Sequence, residues 1–307
     1  MRFPLIGNSK IKLSVTNSIK EKRLPHAIII EGDSGTGRHT LSDYIARSAV
    51  CVGENAPCGE CSGCHLAESR NHPDILTVSP EEGKKSIAVA QIRTLRSEAY
   101  VKPHTASCRV FIIDFADTLN EQSQNALLKV LEDPPSATVF MLICESKAAL
   151  LDTIISRCVV LSLSTPEKNE AKEYIQKNTV FSGDNIDLAL DSTQNNIGNA
   201  LKLLAGKGDT KTVLAAKEFL ECMLERNLWG MLASCSVAEK NRIEADRFFK
   251  DLKYQTACML KSRTDSFDAK ALSSLYSILC ELEKSLASNI NLGLLTSTLV
   301  SRAAEII

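Results

Sequence analysis

The sequence is poor in aromatic side chains and has no long apolar run. Aromatic residues make up 5% of the 307 residues, and there is one tryptophan. Nucleic-acid surfaces that stack bases need aromatic side chains interleaved with basic ones. No run of 18 apolar residues is present to span a membrane, and the opening MRFPLIGNSKIK does not have the pattern of a signal peptide. We therefore expect a cytoplasmic protein without a membrane segment.

Neither sign of charge is in excess, and neither repeats nor low-complexity runs occur. Lys plus Arg number 36 and Asp plus Glu number 37, for a formal net charge of -1. This balance excludes nucleic-acid binding through overall charge, although not through a local patch. Apolar residues make up 44% of the chain, which is enough to give two or three domains a core each.

The first half of the chain alternates between strand-like and helix-like segments. Short apolar runs predict buried strands, and helical spacing separates most of them. The predicted strands cover 26–32, 74–80, 109–117, 137–146 and 158–164, and the predicted helices cover 9–22, 41–50, 86–102 and 123–135. Strands separated by helices indicate a three-layer α/β domain with a parallel sheet.

Strand signals end at Pro166, and the rest of the chain reads as helical. We predict a small helical domain over 166–208 and an all-α domain over 209–307, after an α/β domain over 1–165. A leucine-rich stripe predicts one long helix, and the sequence SNINLG predicts a break before the last helix. The stripe consists of Leu272, Leu275, Tyr276, Leu279, Leu282 and Leu286.

The segment GDSGTGRHTL nearly matches the phosphate-loop pattern G-x-x-x-x-G-K-[ST]. Gly32 and Gly37 fall in place, but Arg38 stands where the lysine belongs and His39 where the hydroxyl belongs. Arginine keeps the charge in a bulkier fork, histidine is a poor magnesium ligand, and Thr40 comes one residue late. The pattern predicts a phosphate-loop position without catalytic competence, although a strand-to-helix turn that merely needs glycine has the same pattern.

RVFIIDFAD ends an apolar strand with Asp114, which is typical of a magnesium-coordinating acid. The next residue, Phe115, replaces the glutamate that activates water in ATPases of this architecture. We expect Asp117 to cap the following helix.

Four cysteines are clustered in CVGENAPCGECSGC. Cys51, Cys58, Cys61 and Cys64 can close a tetrahedral thiolate shell, and glycines between them allow tight turns. The spacing differs from that of a ferredoxin cluster. Structural zinc is the preferred interpretation; a redox dithiol and unliganded cysteines are the alternatives, and His65 is a substitute ligand. The other seven cysteines are interpreted as small core residues.

The segment TIISRC places Ser156 and Arg157 between a short helix and a strand. An arginine at such an edge can stabilise charge on a phosphoryl group bound by a neighbouring subunit. On the pattern alone, an arginine that complements the dipole of its own helix is the simpler interpretation.

In this order, HAIIIEG with GRHTL, the four-cysteine insertion, NALLKVLEDPP and IISRC resemble bacterial replicative clamp loader subunits, most strongly over 5–165. The resemblance implies an AAA+ domain, a helical lid and a helical collar that joins five subunits into a ring. It implies gamma/tau and delta subunits as partners, and contact with the sliding clamp and primer–template DNA through the complex.

The resemblance also implies roles for individual residues. Motor subunits of the gamma/tau type carry the loop lysine, a glutamate after the magnesium aspartate and a lid arginine. Here these positions are Arg38, Phe115 and Gly198. The losses imply a stator that does not turn over ATP, with Arg157 and Ser156 serving a neighbour's ATP site. The degenerate nucleotide site would comprise Gly32, Gly35, Gly37, Arg38, His39, Thr40 and Asp114.

Two other functions compete with this interpretation. One is an ATP-hydrolysing gamma/tau-like motor subunit with variant loop residues. The other is a zinc-dependent nucleic-acid-binding module with a vestigial ATPase domain, which the near-neutral charge and the scarcity of aromatic residues near the cysteines disfavour.

Overall fold

The structure is a computed structural model that describes residues 5–84, 86–181, 183–207, 211–262, 266–286 and 291–306. The chain divides into two compact units. The first runs to Tyr174 and includes Asn196–Gly198, and the second comprises Ile175–Asn195 and the chain from Asn199 onward. The predicted boundaries after residues 165 and 208 remain predictions.

The first unit is built on a five-stranded sheet in which every pairing is parallel. The strands are β1 (Ala27–Glu31), β2 (Ile75–Val78), β3 (Arg109–Ile113), β4 (Thr138–Cys144) and β5 (Val159–Ser162), in the order β2-β3-β4-β1-β5. All residues of β3 and β4 are buried, because helices cover both faces of the sheet. The predicted parallel α/β architecture is confirmed.

Helices form the two outer layers of this unit. They are α1 (Ser9–Lys20), α2 (Arg38–Val50), α3 (Ser62–Glu68), α4 (Val89–Ala99), α5 (Glu121–Glu132), α6 (Asp152–Ile155) and α7 (Lys168–Asn178), the last of which ends in the second unit. Apolar residues of α1 and α2 pack on one face of the sheet, and those of α4 and α5 pack on the other. The sequence analysis missed α3.

The start of α5 differs from the expectation. The side chain of Asn120 caps the helix by accepting from the backbone N–H of Ser123 at 2.8 Å. The expectation that Asp117 is the cap is wrong, because Asp117 lies in a separate short turn, Ala116–Thr118. At the other end the helix stops at Glu132, just before Pro134, as the two prolines predict.

A buried carboxylate fixes the loop that leads into β3. Asp74 is fully buried and accepts hydrogen bonds from the backbone N–H groups of His104 (2.7 Å), Thr105 (2.8 Å) and Ala106 (2.9 Å). Burial alone would raise the pKa of Asp74, but these donors lower it to about 2. The ionised carboxylate therefore holds this loop in place.

Within the described residues, every secondary-structure element of the second unit is helical, including a π-helical turn at Leu203–Lys207. Its helices are α8 (Gly183–Ser192), α9 (Ile197–Lys202, which begins in the first unit), α10 (Lys211–Leu224), α11 (Leu228–Cys235), α12 (Arg242–Ser262), α13 (Ser266–Leu286) and α14 (Leu292–Ala304). The leucines of the predicted stripe from Leu272 to Leu282 are buried in its core beside Phe219 and Phe248. Residues 288–290 of the predicted SNINLG break lie outside the described residues.

Two further predictions concern membranes and cysteines. Among the described residues, no helix is both long enough and apolar enough to cross a bilayer. Cys144, Cys222 and Cys235 are buried in the apolar cores, and burial raises the pKa of the Cys144 and Cys235 thiols to about 12. These three behave as small hydrophobic residues, as expected.

Candidate functional site

The glycine-rich turn joins β1 to α2, as the pattern predicts. Gly32, Gly35 and Gly37 all have positive φ angles, of 151°, 92° and 98°. At Gly32 a Cβ atom would lie 2.9 Å from the carbonyl oxygen of Leu163, and a side chain would also be strained at this φ. The turn therefore has a backbone that only glycine adopts readily, directly before the N-terminus of a helix.

The acid at the end of β3 is bonded to a histidine at the start of α2. His39 Nε2 lies 2.8 Å from Asp114 Oδ1 and 3.0 Å from Oδ2. This hydrogen bond raises the pKa of His39, so an imidazolium cation is favoured beside the carboxylate. The carboxylate that would hold magnesium in an ATPase is thus already hydrogen-bonded to a side chain of the same chain.

The arginine at the lysine position also has a partner within the site. Arg38 is 6% exposed, and its Nη2 lies 3.5 Å from Glu145 Oε1, directly after β4. The guanidinium charge is therefore balanced by a carboxylate at the adjacent strand end. Thr40, the hydroxyl that comes one residue late, is exposed on the same helix.

The position expected for the lid arginine contacts the loop directly. The Gly198 N–H donates to the Gly35 carbonyl oxygen at 3.2 Å, and Asn196 Nδ2 donates to that of Ser34 at 2.8 Å. A Cβ atom at residue 198 would lie 2.7 Å from Gly35 Cα. Where the resemblance implies a lid arginine, this chain thus has a glycine, which permits a close backbone contact with the loop.

Phe115 has unusual backbone geometry for a bulky residue. Its φ angle is 55°, and 46% of the residue is exposed. Left-handed geometry at a bulky residue is strained and often marks a functional position. Two contacts hold it there: the Phe115 N–H donates to Asp114 Oδ1 at 3.0 Å, and Thr118 Oγ1 donates to the Phe115 carbonyl oxygen at 2.7 Å. An aromatic ring, which cannot activate water, therefore follows the acid.

Arg157 lies between α6 and β5, away from the glycine-rich loop, and is partly exposed. Its Nη1 donates to the carbonyl oxygen of Thr153 at 2.7 Å and lies 3.3 Å from Ser156 Oγ, while Nη2 lies 2.8 Å from Glu132 Oε1. Its side chain is 34% exposed. In the parallel register of β1 and β5, Ile28 pairs with Val159. Arg157 therefore precedes β5 at the end of the sheet opposite the loop.

A buried glutamine fixes the helix that leads to Arg157. Gln124 Oε1 accepts from the backbone N–H of Leu151 at 2.7 Å, and its Nε2 donates to the carbonyl oxygens of Leu119 and Ala149 at 3.0 and 3.1 Å. The sequence analysis named neither Gln124 nor Glu132 as functional residues. Glu132 did leave a signal, because NALLKVLEDPP ends a helix with two acids, where the helix dipole disfavours them.

The four clustered cysteines come together as predicted. Their sulfur atoms all lie within 4.8 Å of one another, and the Cys51–Cys61 and Cys58–Cys64 sulfurs are each 3.9 Å apart. A tetrahedral zinc–thiolate site with bonds of about 2.3 Å requires sulfur atoms about 3.8 Å apart. The four residues can therefore hold a metal ion, and His65 is not part of the group.

Local backbone contacts build the cysteine cluster. The N–H groups of Gly53 and Cys58 both donate to the Cys51 sulfur at 3.3 Å. Gly59 has a φ of 80°, as a tight turn requires. Gly63 has a different role from the one expected. It lies inside α3, where a Cβ atom would be 2.6 Å from the Val50 carbonyl oxygen, so it permits close packing.

The fold and the site define a class: a parallel α/β protein of the phosphate-loop type whose loop site is filled by contacts within the chain. The chain belongs to the family described as DNA polymerase III, delta subunit, whose model matches residues 7–167. It is 37% identical over 166 residues to DNA polymerase III subunit delta' of Haemophilus influenzae. This alignment covers 54% of this chain and 50% of that protein.

Two further relatives agree with this family. The chain is 35% identical over 188 residues to DNA polymerase III subunit delta' of Bacillus subtilis (61% of this chain and 56% of that protein). It is 30% identical over 206 residues to DNA polymerase III subunit tau/gamma of H. influenzae (65% and 30%). The matched region spans about half the length of the delta' relatives. The resemblance to bacterial clamp loader subunits is confirmed, and the delta' relatives and the family model support the delta' type in particular.

Proposed function

We propose that this chain is a delta-prime stator subunit of a replicative clamp loader, which supports the loading of the sliding clamp onto primed DNA. It does not turn over ATP, and it supplies Arg157 to the ATP site of an adjacent gamma/tau-type subunit. The observation that carries the proposal is the contrast between the buried Arg38 of the loop site and Arg157, which is paired with Glu132 but keeps a partly exposed guanidinium far from that site.

The loop site lacks what hydrolysis needs. Magnesium must be coordinated by hard oxygen ligands, but the Asp114 carboxylate bonds His39, and the Arg38 charge faces Glu145. A general base must reach the attacking water, and Phe115 has no group to accept the proton. Each of the three features opposes turnover in this chain.

Arg157 and its contacts Thr153, Ser156 and Glu132, which we call the Arg157 corner, lie where the arginine can reach another subunit but not its own loop. By the β1–β5 register, Arg157 falls level with His26, six residues before Gly32 on the neighbouring strand. At about 3.3 Å per residue this separation is about 20 Å, which is too far for Arg157 to serve its own loop. A guanidinium has five donors in a planar fork that matches phosphate oxygens, and the three contacts described leave donors for such a ligand.

Partners and metal follow from the same proposal. The chain would assemble with gamma/tau and delta subunits in the cytoplasm and meet the sliding clamp and primer–template DNA through that complex. The four cysteines would hold a structural zinc ion, which supplies no step of the reaction. Since α3 packs against α2 and Cys51 directly follows α2, zinc would brace the C-terminal end of α2, at the end of the α/β unit away from the loop.

The experiment is an Arg157→Ala substitution in a clamp loader reconstituted from subunits of the same genome. We expect assembly by size-exclusion chromatography to be unchanged and DNA-stimulated ATP hydrolysis to fall. An unchanged rate of ATP hydrolysis in an intact assembly would contradict the proposed role of Arg157.

The second candidate is a gamma/tau-like motor, which the loop glycines, Asp114 and the tau/gamma similarity favour. The purified chain would then hydrolyse Mg-ATP at millimolar nucleotide, and Asp114→Asn would abolish that activity. We expect no hydrolysis by the isolated chain.

A further inference from the structure

Glu132 and Arg157 form an ion pair between two separate elements of the α/β unit. Arg157 Nη2 lies 2.8 Å from Glu132 Oε1, and the two side chains are 34% and 48% exposed. Glu132 ends α5 and Arg157 follows α6. The pair therefore links the end of α5 to Arg157, the residue that the proposed function places at the ATP site of the adjacent subunit.

Glu132 occupies a position where an acid is unfavourable for the helix itself. The C-terminus of a helix carries a partial negative charge, so a carboxylate there is destabilising unless a cation compensates it. Here Asp133 adds a second acid directly after Glu132. The guanidinium of Arg157 provides the compensating charge. The presence of an acid at residue 132 is therefore explained by its pairing with Arg157 and not by the stability of the helix.

The supports of the pair are fixed independently of the pair. Gln124 ties the N-terminal end of α5 to the segment before α6 through two hydrogen bonds, to Ala149 and Leu151, and its third bond goes to Leu119 just before α5. On the other side of the guanidinium, Nη1 is held by the Thr153 carbonyl oxygen. Glu132 therefore completes a bracket in which each side of the guanidinium has an acceptor, and the guanidinium keeps one orientation.

We propose that Glu132 is a positioning residue that holds the Arg157 guanidinium oriented for a phosphate group of the adjacent subunit. This inference rests on the proposed function. An exposed ion pair contributes little free energy, so phosphate oxygens with several negative charges can displace the carboxylate when they arrive. Before that, the bracket limits the number of orientations that the flexible side chain can adopt, which lowers the entropy cost of engagement.

The test is a double-mutant cycle on the reconstituted clamp loader, with ATP hydrolysis as the readout. Glu132→Ala should lower kcat about threefold, the fold-change that corresponds to the loss of one exposed ion pair, without changing KM or assembly. Glu132→Gln, which keeps an oxygen acceptor, should recover most of the rate. The double variant Glu132→Ala with Arg157→Ala should be no slower than Arg157→Ala alone.

A matched control separates positioning from general destabilisation. Glu68, the last residue of α3, has a carboxylate that is 61% exposed and paired with Arg47 of α2. Glu68→Ala removes this ion pair and should leave the rate of ATP hydrolysis unchanged. Additive losses in the double variant, or a faster rate with Glu132→Ala, would overturn the role of Glu132. If Arg157→Ala itself has no effect, the proposed function fails first, so the two failures are distinguishable.

Discussion

The glycine-rich loop and the Arg157 corner contain similar residues but treat them differently. At the loop, the Arg38 side chain is 7% exposed and faces Glu145, and His39 bonds Asp114. At the corner, Arg157 also has a carboxylate partner, Glu132, but keeps 34% of its side chain exposed. The comparison teaches that the acid and the arginine of the loop site have partners within the chain, whereas the guanidinium of Arg157 stays partly accessible.

The largest expected effect is the difference between removing the two arginines. In the reconstituted assembly, Arg157→Ala should lower ATP hydrolysis at the adjacent site about 10³-fold, the effect of losing an arginine finger. Arg38→Gln should change the rate by less than about threefold, the scale of losing one ion pair, because Arg38 contacts Glu145 within its own chain. Equal losses from both substitutions would contradict the comparison.

Removal of metal should destabilise the α/β unit from the end of α2 that lies away from the loop. A chelator, or a Cys61→Ser substitution, should lower the free energy of unfolding by several kcal/mol, because a bound structural metal contributes its binding energy to folding. Zinc content measured by atomic absorption and a thermal melt check this. Cys280→Ala, outside the cluster, should keep about one zinc ion per chain. An unchanged melting temperature after chelation would count against a structural metal.

Restoring the loop pattern should weaken the contrast between the two sites. The double substitution Arg38→Lys with His39→Thr frees the Asp114 carboxylate and supplies the missing lysine and hydroxyl. We expect Mg-ATP to bind at least about tenfold more tightly than to the natural chain, a gain of about 1.4 kcal/mol, as measured by calorimetry. Hydrolysis should stay absent, because Phe115 is unchanged. Failure to gain any binding would mean that the Gly198 contact with the loop, rather than the two side chains, closes the site.

The smallest expected effect is a pH dependence at the loop. The hydrogen bond that His39 donates to Asp114 raises the pKa of His39 above 6.5. Its stabilisation is therefore fully present below about pH 6.5, the unfolded value, and is lost as pH rises through the higher folded value. The His39 side chain is 49% exposed, so the effect should stay below about 1 kcal/mol. Urea unfolding should show a larger stability difference between the natural chain and His39→Gln at acidic than at alkaline pH.

The local patterns in the sequence predicted most of the fold. Isoleucines 28–30 identify a strand buried on both faces, and the prolines after Glu132 identify the end of a helix. The cysteine spacing predicted a metal site, since the four ligands lie within 14 residues of sequence. Helix α3 was missed because it has only seven residues, SGCHLAE, and these show no apolar periodicity. Gly63 and Cys64, which belong to the cysteine motif, take up two of the seven positions.

The contacts within the candidate sites could not be read from the sequence in the same way. His39 and Asp114 are 75 residues apart, and only the strand order brings the end of β3 next to the start of α2. Asn120 rather than Asp117 caps α5 because the intervening short turn moves the helix start along the chain. The pairing of Glu132 with Arg157 depends in the same way on packing between α5 and α6.

Asp74 has a consequence for how this part of the chain can vary among relatives. Its carboxylate accepts from three main-chain N–H groups and one hydroxyl at residues 104–106, and Arg109 Nε lies 3.9 Å from it. The exposed His104 contributes only its backbone N–H, so it can be exchanged for most residues but not for proline, which has no N–H to donate. Ala106 also packs against the apolar core, so its side chain is more constrained. In evolutionary terms, one aspartate would fix this turn and leave residue 104 free to vary.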